Sequence, residues 1–534
     1  MTTSIFDYII VGAGSAGCVL ANRLSASGRD SVLLLEAGPP DTYPWIHIPI
    51  GYARTMFNGK YNWCFYTEAD PGMNNRRIYW PRGKVLGGSS SINGLIYIRG
   101  QPEDYDHWEH LGNDGWGWKD VLPYFTKAER NQRGASALHG ADGELGVSDI
   151  GEPHELAGAF IAACEQAGIP RNDDFNGPAQ EGAGCFQLNT WRGRRCSTAV
   201  AYLRPARKRP NLRVETNALA TGLLFTGVRA HGVAYRRHGR DCEAQARREV
   251  VLCAGAIQSP QLLQLSGVGD ADSLRSRGIT PVHHLPGVGR NLQDHLQVRL
   301  IHRCAKPITT NDDLRSLRRK LGMGLKYVLF RRGPLAIGIN QAGAFARTHP
   351  GLARPDIQFH FGALSSDLPG APLHDFPGFT TSVCQLRPES RGRVMIKTRD
   401  PVAAPAIEPG YLSAELDRET AVAALRLARR VASSPALKGY IVDEYLPGAG
   451  VRSDDELLES ARATGVTIFH PAGTCKMGSD AMAVVDERLR VYGLEALRVV
   501  DCSIMPTITS GNTHAPVVMI AEKAADMIKA DASA

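Results

Sequence analysis

Residues 5–36, IFDYIIVGAGSAGCVLANRLSASGRDSVLLLE, constrain the fold more than any other stretch of the chain. Ile9, Ile10 and Val11 form a short β-branched run that predicts a buried strand. The run breaks at Gly12-Ala13-Gly14-Ser15-Ala16-Gly17, a G-x-G-x-x-G, and a helical pattern with Val19, Leu20 and Leu24 on one side follows. A second apolar strand, Val32–Leu35, ends on Glu36, an acid about 20 residues beyond the glycines, as a dinucleotide fingerprint requires. Gly12 suits a tight turn, Gly14 lets backbone approach a pyrophosphate, and Gly17 lets helix and strand pack closely. The helix N-terminus, opening at Ser15 and Ala16, offers unpaired N–H groups to phosphate, and Glu36 can accept from ribose hydroxyls. The stretch predicts an ADP-containing cofactor without separating NAD from FAD.

A chain of 534 residues exceeds one ordinary core, so at least two domains are expected. The net charge of +7 comes from scattered Lys and Arg with no nucleic-acid-binding signature, which argues against a nucleic-acid partner. Eleven cysteines with no C-x-x-C pair argue against a disulfide framework, an Fe–S site or structural zinc. No apolar run of membrane-spanning length occurs, and the residues before the first strand are too few for a signal peptide. The expected location is the cytoplasm, with peripheral contact at the inner membrane as an option.

Residues 37–80 are rich in turns and rings, among them Tyr43, Trp45, Tyr52, Trp63 and Trp80, and predict a covering loop with some rings on a cavity wall. Residues 103–130, 154–169, 413–434 and 453–463 predict helices. Arg213–Thr216 and Ala218–Phe225 read as paired strands, and Arg248–Cys253 as another buried strand followed by a helix with a Ser259-Pro260 start. The alternation in 340–412, as in IQFHF (357–361), predicts a sheet over the active site. Residues 312–333 alternate basic residues with Leu, Met, Tyr and Phe at near-helical spacing. They fit a solvated helix or a basic amphipathic surface for anionic lipid. His139 and His295 read as structural histidines.

Arg82-Gly83-Lys84-Val85-Leu86-Gly87-Gly88-Ser89-Ser90-Ser91-Ile92-Asn93-Gly94 is a glycine- and serine-rich turn able to crowd an anion or a flat ring. Together with Gly255–Leu263, the segment Pro286–His295 and HPAGTCKMG (470–478), it resembles the glucose–methanol–choline (GMC) oxidoreductases, in the branch of choline and medium-chain alcohol dehydrogenases. The resemblance covers nearly the whole chain. It implies a Rossmann-like α/β FAD-binding domain built from residues 1–155, 195–300 and 464–534. A substrate-binding α+β domain with an antiparallel sheet takes 156–194 and 301–463.

It further implies noncovalent FAD, because Ile92 stands where some members carry the linking histidine. The residues implied around the cofactor are Gly12, Gly14, Ser15, Ala16, Gly17, Glu36, Val85, Gly88, Ser89, Asn93, Gly94, Ala220, Asp501 and Thr513. His470 is implied as catalytic base. Asn512 is implied as its partner, ten residues before Glu522, whereas His514 is displaced by two. Gln297 replaces the acid that choline-specific members use, which favours a neutral, partly apolar primary alcohol. The implied reaction is oxidation to the aldehyde, with electrons passed to a quinone-type acceptor. An oxidase using O₂, a non-redox flavin lyase and an NAD-dependent dehydrogenase are the alternatives.

Overall fold

The computed structural model describes residues 4–533. Two seven-stranded sheets carry the architecture. Their strands, in chain order, are β1 (Ser4–Val11), β2 (Val32–Leu35), β3 (Gly182–Cys185), β4 (Leu212–Glu215), β5 (Ala218–Thr226), β6 (Arg229–Arg237), β7 (Arg240–Leu252), β8 (Leu296–Cys304), β9 (Asn340–Ala346), β10 (Ile357–Gly362), β11 (Gly378–Gln385), β12 (Ile441–Leu446), β13 (Val466–Thr467) and β14 (Leu497–Val499). The helices that matter here are α1 (Ser15–Leu24), α2 (Gly255–Leu265), α3 (Thr310–Arg315), α4 (Leu317–Phe330), α5 (Glu415–Ala432) and α6 (His514–Ser533).

The first sheet runs β4-β2-β1-β7-β6-β5, with β14 added to β7. Its β4, β2, β1, β7 and β14 contacts are all parallel. Parallel strands covered on both faces must be apolar along their length, and Ile9, Ile10, Leu33, Leu34, Val250 and Val251 are all buried. Helices α1 and α6 pack together beside this sheet. The predicted pairing of 213–216 with 218–225 is corrected: β4 pairs with β2, whereas β5 pairs antiparallel with β6. Gly227, at φ +59°, makes the tight turn that returns the chain from β5 into β6.

The start expected for α2 is corrected as well. The helix begins at Gly255, so Pro260 lies inside it. Proline removes the bond to the Ala256 carbonyl. Thr474 Oγ1 donates to that carbonyl instead, at 2.6 Å, and the carboxylate of Asp501 accepts from Gly255 N at 2.8 Å and Ser259 Oγ at 2.6 Å. The C-terminal segment thus compensates a defect in a helix more than 200 residues away.

The second sheet is antiparallel throughout, in the order β12-β8-β11-β10-β9-β3, with β13 on β8. Helix α5 buries Ala424, Leu425, Ala428 and Val431 with the apolar residues of this sheet. The chain segment before β8 also pairs with the segment after β13, through Gln293 and Ala472 and through Ile468 N to His295 O at 3.0 Å. That pairing brings His295 beside His470. His139 sits in an ionic cluster with Glu129 and Asp174, at 3.1 and 2.9 Å, as befits a structural residue.

Candidate active site

A cavity of about 720 Å³ is lined by residues of both sheets. Gly12, Gly14, Ser15, Ala16, Glu36, Ala220 and Asp501 line one part of it. Gly88, Ser89, Ile92, Asn93, Gly94 and Thr513 line it further on, and His470 and Asn512 share the same wall. Trp45, Tyr52 and Trp63 contribute rings from the aromatic loop. Two expected cofactor residues lie elsewhere. Val85 packs with Ile46 and Tyr61 in a small apolar cluster, so its side chain offers nothing to the cavity. Gly17 acts through packing, because a Cβ there would meet the Gly12 carbonyl oxygen at 1.9 Å.

The glycine loop fits the ADP half of FAD. Gly14 caps α1 without any side-chain hydrogen bond, which leaves helix N–H groups free for phosphate. Gly88, at φ +53°, approaches so closely that a Cβ would stand 2.6 Å from Gly14 Cα. Two chain segments therefore meet backbone to backbone at the cavity wall. Glu36 is buried, accepts from Ala13 N at 3.0 Å and Gly38 N at 2.8 Å, and is raised to about 7 by burial. Ser15 Oγ lies 3.1 Å from His514 Nδ1, so His514 is tied to the glycine loop and not to His470.

The segment around His470 is held at both backbone and ring. Asp294 Oδ1 accepts from His470 N at 2.7 Å. His295 Nδ1 lies 3.0 Å from His470 Nδ1, and His295 Nε2 lies 2.9 Å from the Leu386 carbonyl. On the far side of the ring, Asn512 Nδ2 lies 3.2 Å from His470 Nε2, and Asn512 Oδ1 accepts from Gln358 Nε2 at 3.2 Å.

These contacts assign the protons. A carbonyl only accepts, so His295 Nε2 carries a hydrogen. Burial lowers His295 to about 4 and keeps it neutral, so its Nδ1 is an acceptor. His470 Nδ1 must then donate, and His470 Nε2 presents its lone pair. Burial, reinforced by His295, His360 and Arg82, holds His470 well below the ordinary histidine range, hence neutral.

Sequence reasoning missed three guanidinium groups, of which Arg195 and Arg299 are buried. Arg82 donates to the Phe469 carbonyl at 2.6 Å, next to His470. Arg195 donates to Asn93 Oδ1 at 2.7 Å and to the Ser90 carbonyl at 3.1 Å, pinning the serine-rich turn. Arg299 lines the cavity from β8. Buried arginines carry no local sequence signal, because burial is set by which strands surround them. His360, also on the wall, leaves both ring nitrogens without a partner among the described residues.

Comparison with known proteins matches two GMC oxidoreductase family profiles, to residues 6–297 and 388–521. The mitochondrial choline dehydrogenase of Mus musculus is 46% identical over 98% of this chain and 89% of its own length. An alcohol dehydrogenase [acceptor] of Pseudomonas putida is 45% identical over 98% of this chain and 96% of its own. Among solved structures, pyridoxine 4-oxidase from Mesorbium loti superposes with a TM-score of 0.88 at 33% identity, covering 97% of this chain and 98% of that one. With family profiles over more than half of the chain and full-length relatives this similar, the chain belongs to the GMC oxidoreductases, FAD-dependent enzymes acting on CH–OH donors.

Proposed function

We propose that the protein oxidises a primary alcohol to the aldehyde, with His470 as base, FAD as hydride acceptor and a quinone-type molecule as final acceptor. The observation that carries this reading is the neutral His470 with its Nε2 lone pair directed at Asn512. The alcohol oxygen would sit beside this pair, within hydrogen-bond reach of both groups. His470 Nε2 takes the hydroxyl proton while Asn512 Nδ2–H donates to the oxygen as its charge grows. The residues around the glycine loop, Gly12 to Ala16, Glu36 and Asp501, would hold the adenosine and pyrophosphate, and Gly88 to Gly94 with Thr513 the ring end. The test is His470→Ala holoenzyme mixed anaerobically with an alcohol series. Retained flavin with reduction slowed by two orders of magnitude or more, about 10²–10⁴-fold for loss of a general base, supports the assignment. Wild-type bleaching rates in that variant would remove it.

We infer further that the acceptor is met at a lipid surface. In α4, Leu317, Leu321, Leu325 and Val328 lie on one helical face and are 61–71% exposed. Arg318 and Lys320 flank them, Arg331 and Arg332 follow, and none of the four pairs with a carboxylate among the described residues. An apolar stripe edged by free cations matches an anionic bilayer, whereas a second copy would bring like charge against like. Leu314 and Met323, from α3 and α4, line the cavity, so its mouth opens beside this face. Co-sedimentation with phosphatidylglycerol vesicles tests it. Binding lost at high salt and in L317E/L321E/L325E supports it, and equal binding to phosphatidylcholine vesicles, or a dimer that this variant dissociates, would overturn it.

A further inference from the structure

Gln297 and Arg299 project from the same face of β8, two residues apart, and both line the cavity. In the strand register Arg299 lies opposite Ser382 of β11, and Ser382 opposite His360 of β10. The three form one row across the cavity wall. His360 is close enough to His470 to influence its charge. Arg299 is therefore at the other end of that row, two strand spacings or ~10 Å from His360.

Arg299 is 6% exposed. Its terminal nitrogens donate to the Ser366 carbonyl, at 3.4 Å, and to the Asp367 carbonyl. Its Nε has no partner among the described residues. No carboxylate lies within ion-pair distance among the described residues. Asp367, the nearest acid, pairs with His374 and is mostly exposed, while Arg76 nearby adds further positive charge. Burial lowers the guanidinium to about 10, which still leaves it charged. A buried cation with a free N–H edge and no counter-charge is costly unless something supplies the anion. The wall that holds it belongs to the cavity, so a ligand can supply it.

We propose that Arg299 is a specificity-determining residue for a carboxylate on the substrate, which makes the substrate class an alcohol with an acid group several methylenes from the hydroxyl. This deepens the reading of the reaction and rests on it. The hydroxyl lies at His470 and Asn512, and the carboxylate accepts from N–H groups of the Arg299 guanidinium. The same charge opposes a quaternary ammonium in this cavity, so the likeness to choline dehydrogenases does not carry choline over to this chain. The expectation of a neutral alcohol, drawn from Gln297 alone, gives way to an anionic one once Arg299 is seen beside it.

The experiment compares anaerobic flavin reduction of the holoenzyme by ω-hydroxyhexanoate, hexanol and ω-hydroxyhexyl-trimethylammonium. The carboxylate should lead hexanol in kcat/KM by about 10- to 100-fold, the worth of a charge-assisted hydrogen bond, and the ammonium compound should trail both. In Arg299→Gln that carboxylate-to-hexanol ratio should collapse, and Arg299→Lys should restore part of it. A parallel titration follows the flavin spectrum of the oxidised holoenzyme with hexanoate, which cannot react. Hexanoate should bind the wild type and not Arg299→Gln. Equal wild-type rates for acid and alcohol, an unchanged ratio in Arg299→Gln, or loss of FAD from that variant would each overturn the proposal. If none of the three alcohols bleaches the flavin, the reading of the reaction fails, and the hexanoate titration alone decides whether Arg299 binds carboxylate.

Discussion

His295 and His470 face each other through their Nδ1 atoms at 3.0 Å, and only one of those atoms can carry the proton. The Leu386 carbonyl decides which, because it claims the hydrogen on His295 Nε2. A backbone carbonyl on β11's C-terminal side therefore determines the tautomer of a histidine on another segment. The same segment, residues 294 and 295, supplies the Asp294 carboxylate that holds His470 by its backbone.

His295 acts as a positioning residue. In His295→Leu the His470 Nδ1–H loses its acceptor, and flavin reduction should fall about 10- to 100-fold, a part of what a general base contributes. His295→Gln keeps one acceptor and one donor in reach and should recover most of the rate. The pH profile of reduction should shift in the leucine variant only. If glutamine rescues nothing and the profile stays put, His295 merely fills space.

Asn512 should outweigh His514. Removing one donor to a developing oxyanion costs about 10²–10³ in rate, so Asn512→Ala should lose that much in anaerobic reduction. His514→Ala should lose far less, because His514 is engaged with Ser15 Oγ. The reverse ranking would make His514 the partner of His470.

Gly88→Ala should release FAD. The new Cβ would stand 2.6 Å from Gly14 Cα in a left-handed backbone conformation, a strain of ~1–3 kcal/mol. The flavin-to-protein ratio after gel filtration checks this. Full occupancy would mean that the two backbones part without cost.

Acid should destabilise the fold between about pH 6.5 and 4. Burial lowers His295 and His302 from 6.5 to about 4. In that window the unfolded chain binds protons that the folded chain refuses, so stability is complete above it and falls as the pH drops. Each histidine contributes up to ~1.4 kcal/mol per pH unit. His302 stacks on Phe379 at 5.3 Å, and His302→Phe should flatten the slope measured by urea unfolding. An unchanged slope would show that His302 is protonated in the folded state.

The chain's own order of residues determined the βαβ start, Gly12 to Glu36, and the motif that points to His470. Those features are local: a β-branched run, glycines at fixed offsets, an acid at a strand end. Periodicity sufficed there because each element satisfies its hydrogen bonds and its burial within a few dozen residues. The placement of β4 and β5, the real start of α2 and the surroundings of Arg299 depended on partners far along the chain. A proline inside α2 is tolerated only because Thr474 and Asp501 reach it. A guanidinium on β8 becomes a buried, unpaired charge only because β11, β10 and the 366–367 loop close around it. Which groups share a low-dielectric cavity, and which proton sits on which nitrogen, are properties of that closure, and they are decided by tertiary structure alone.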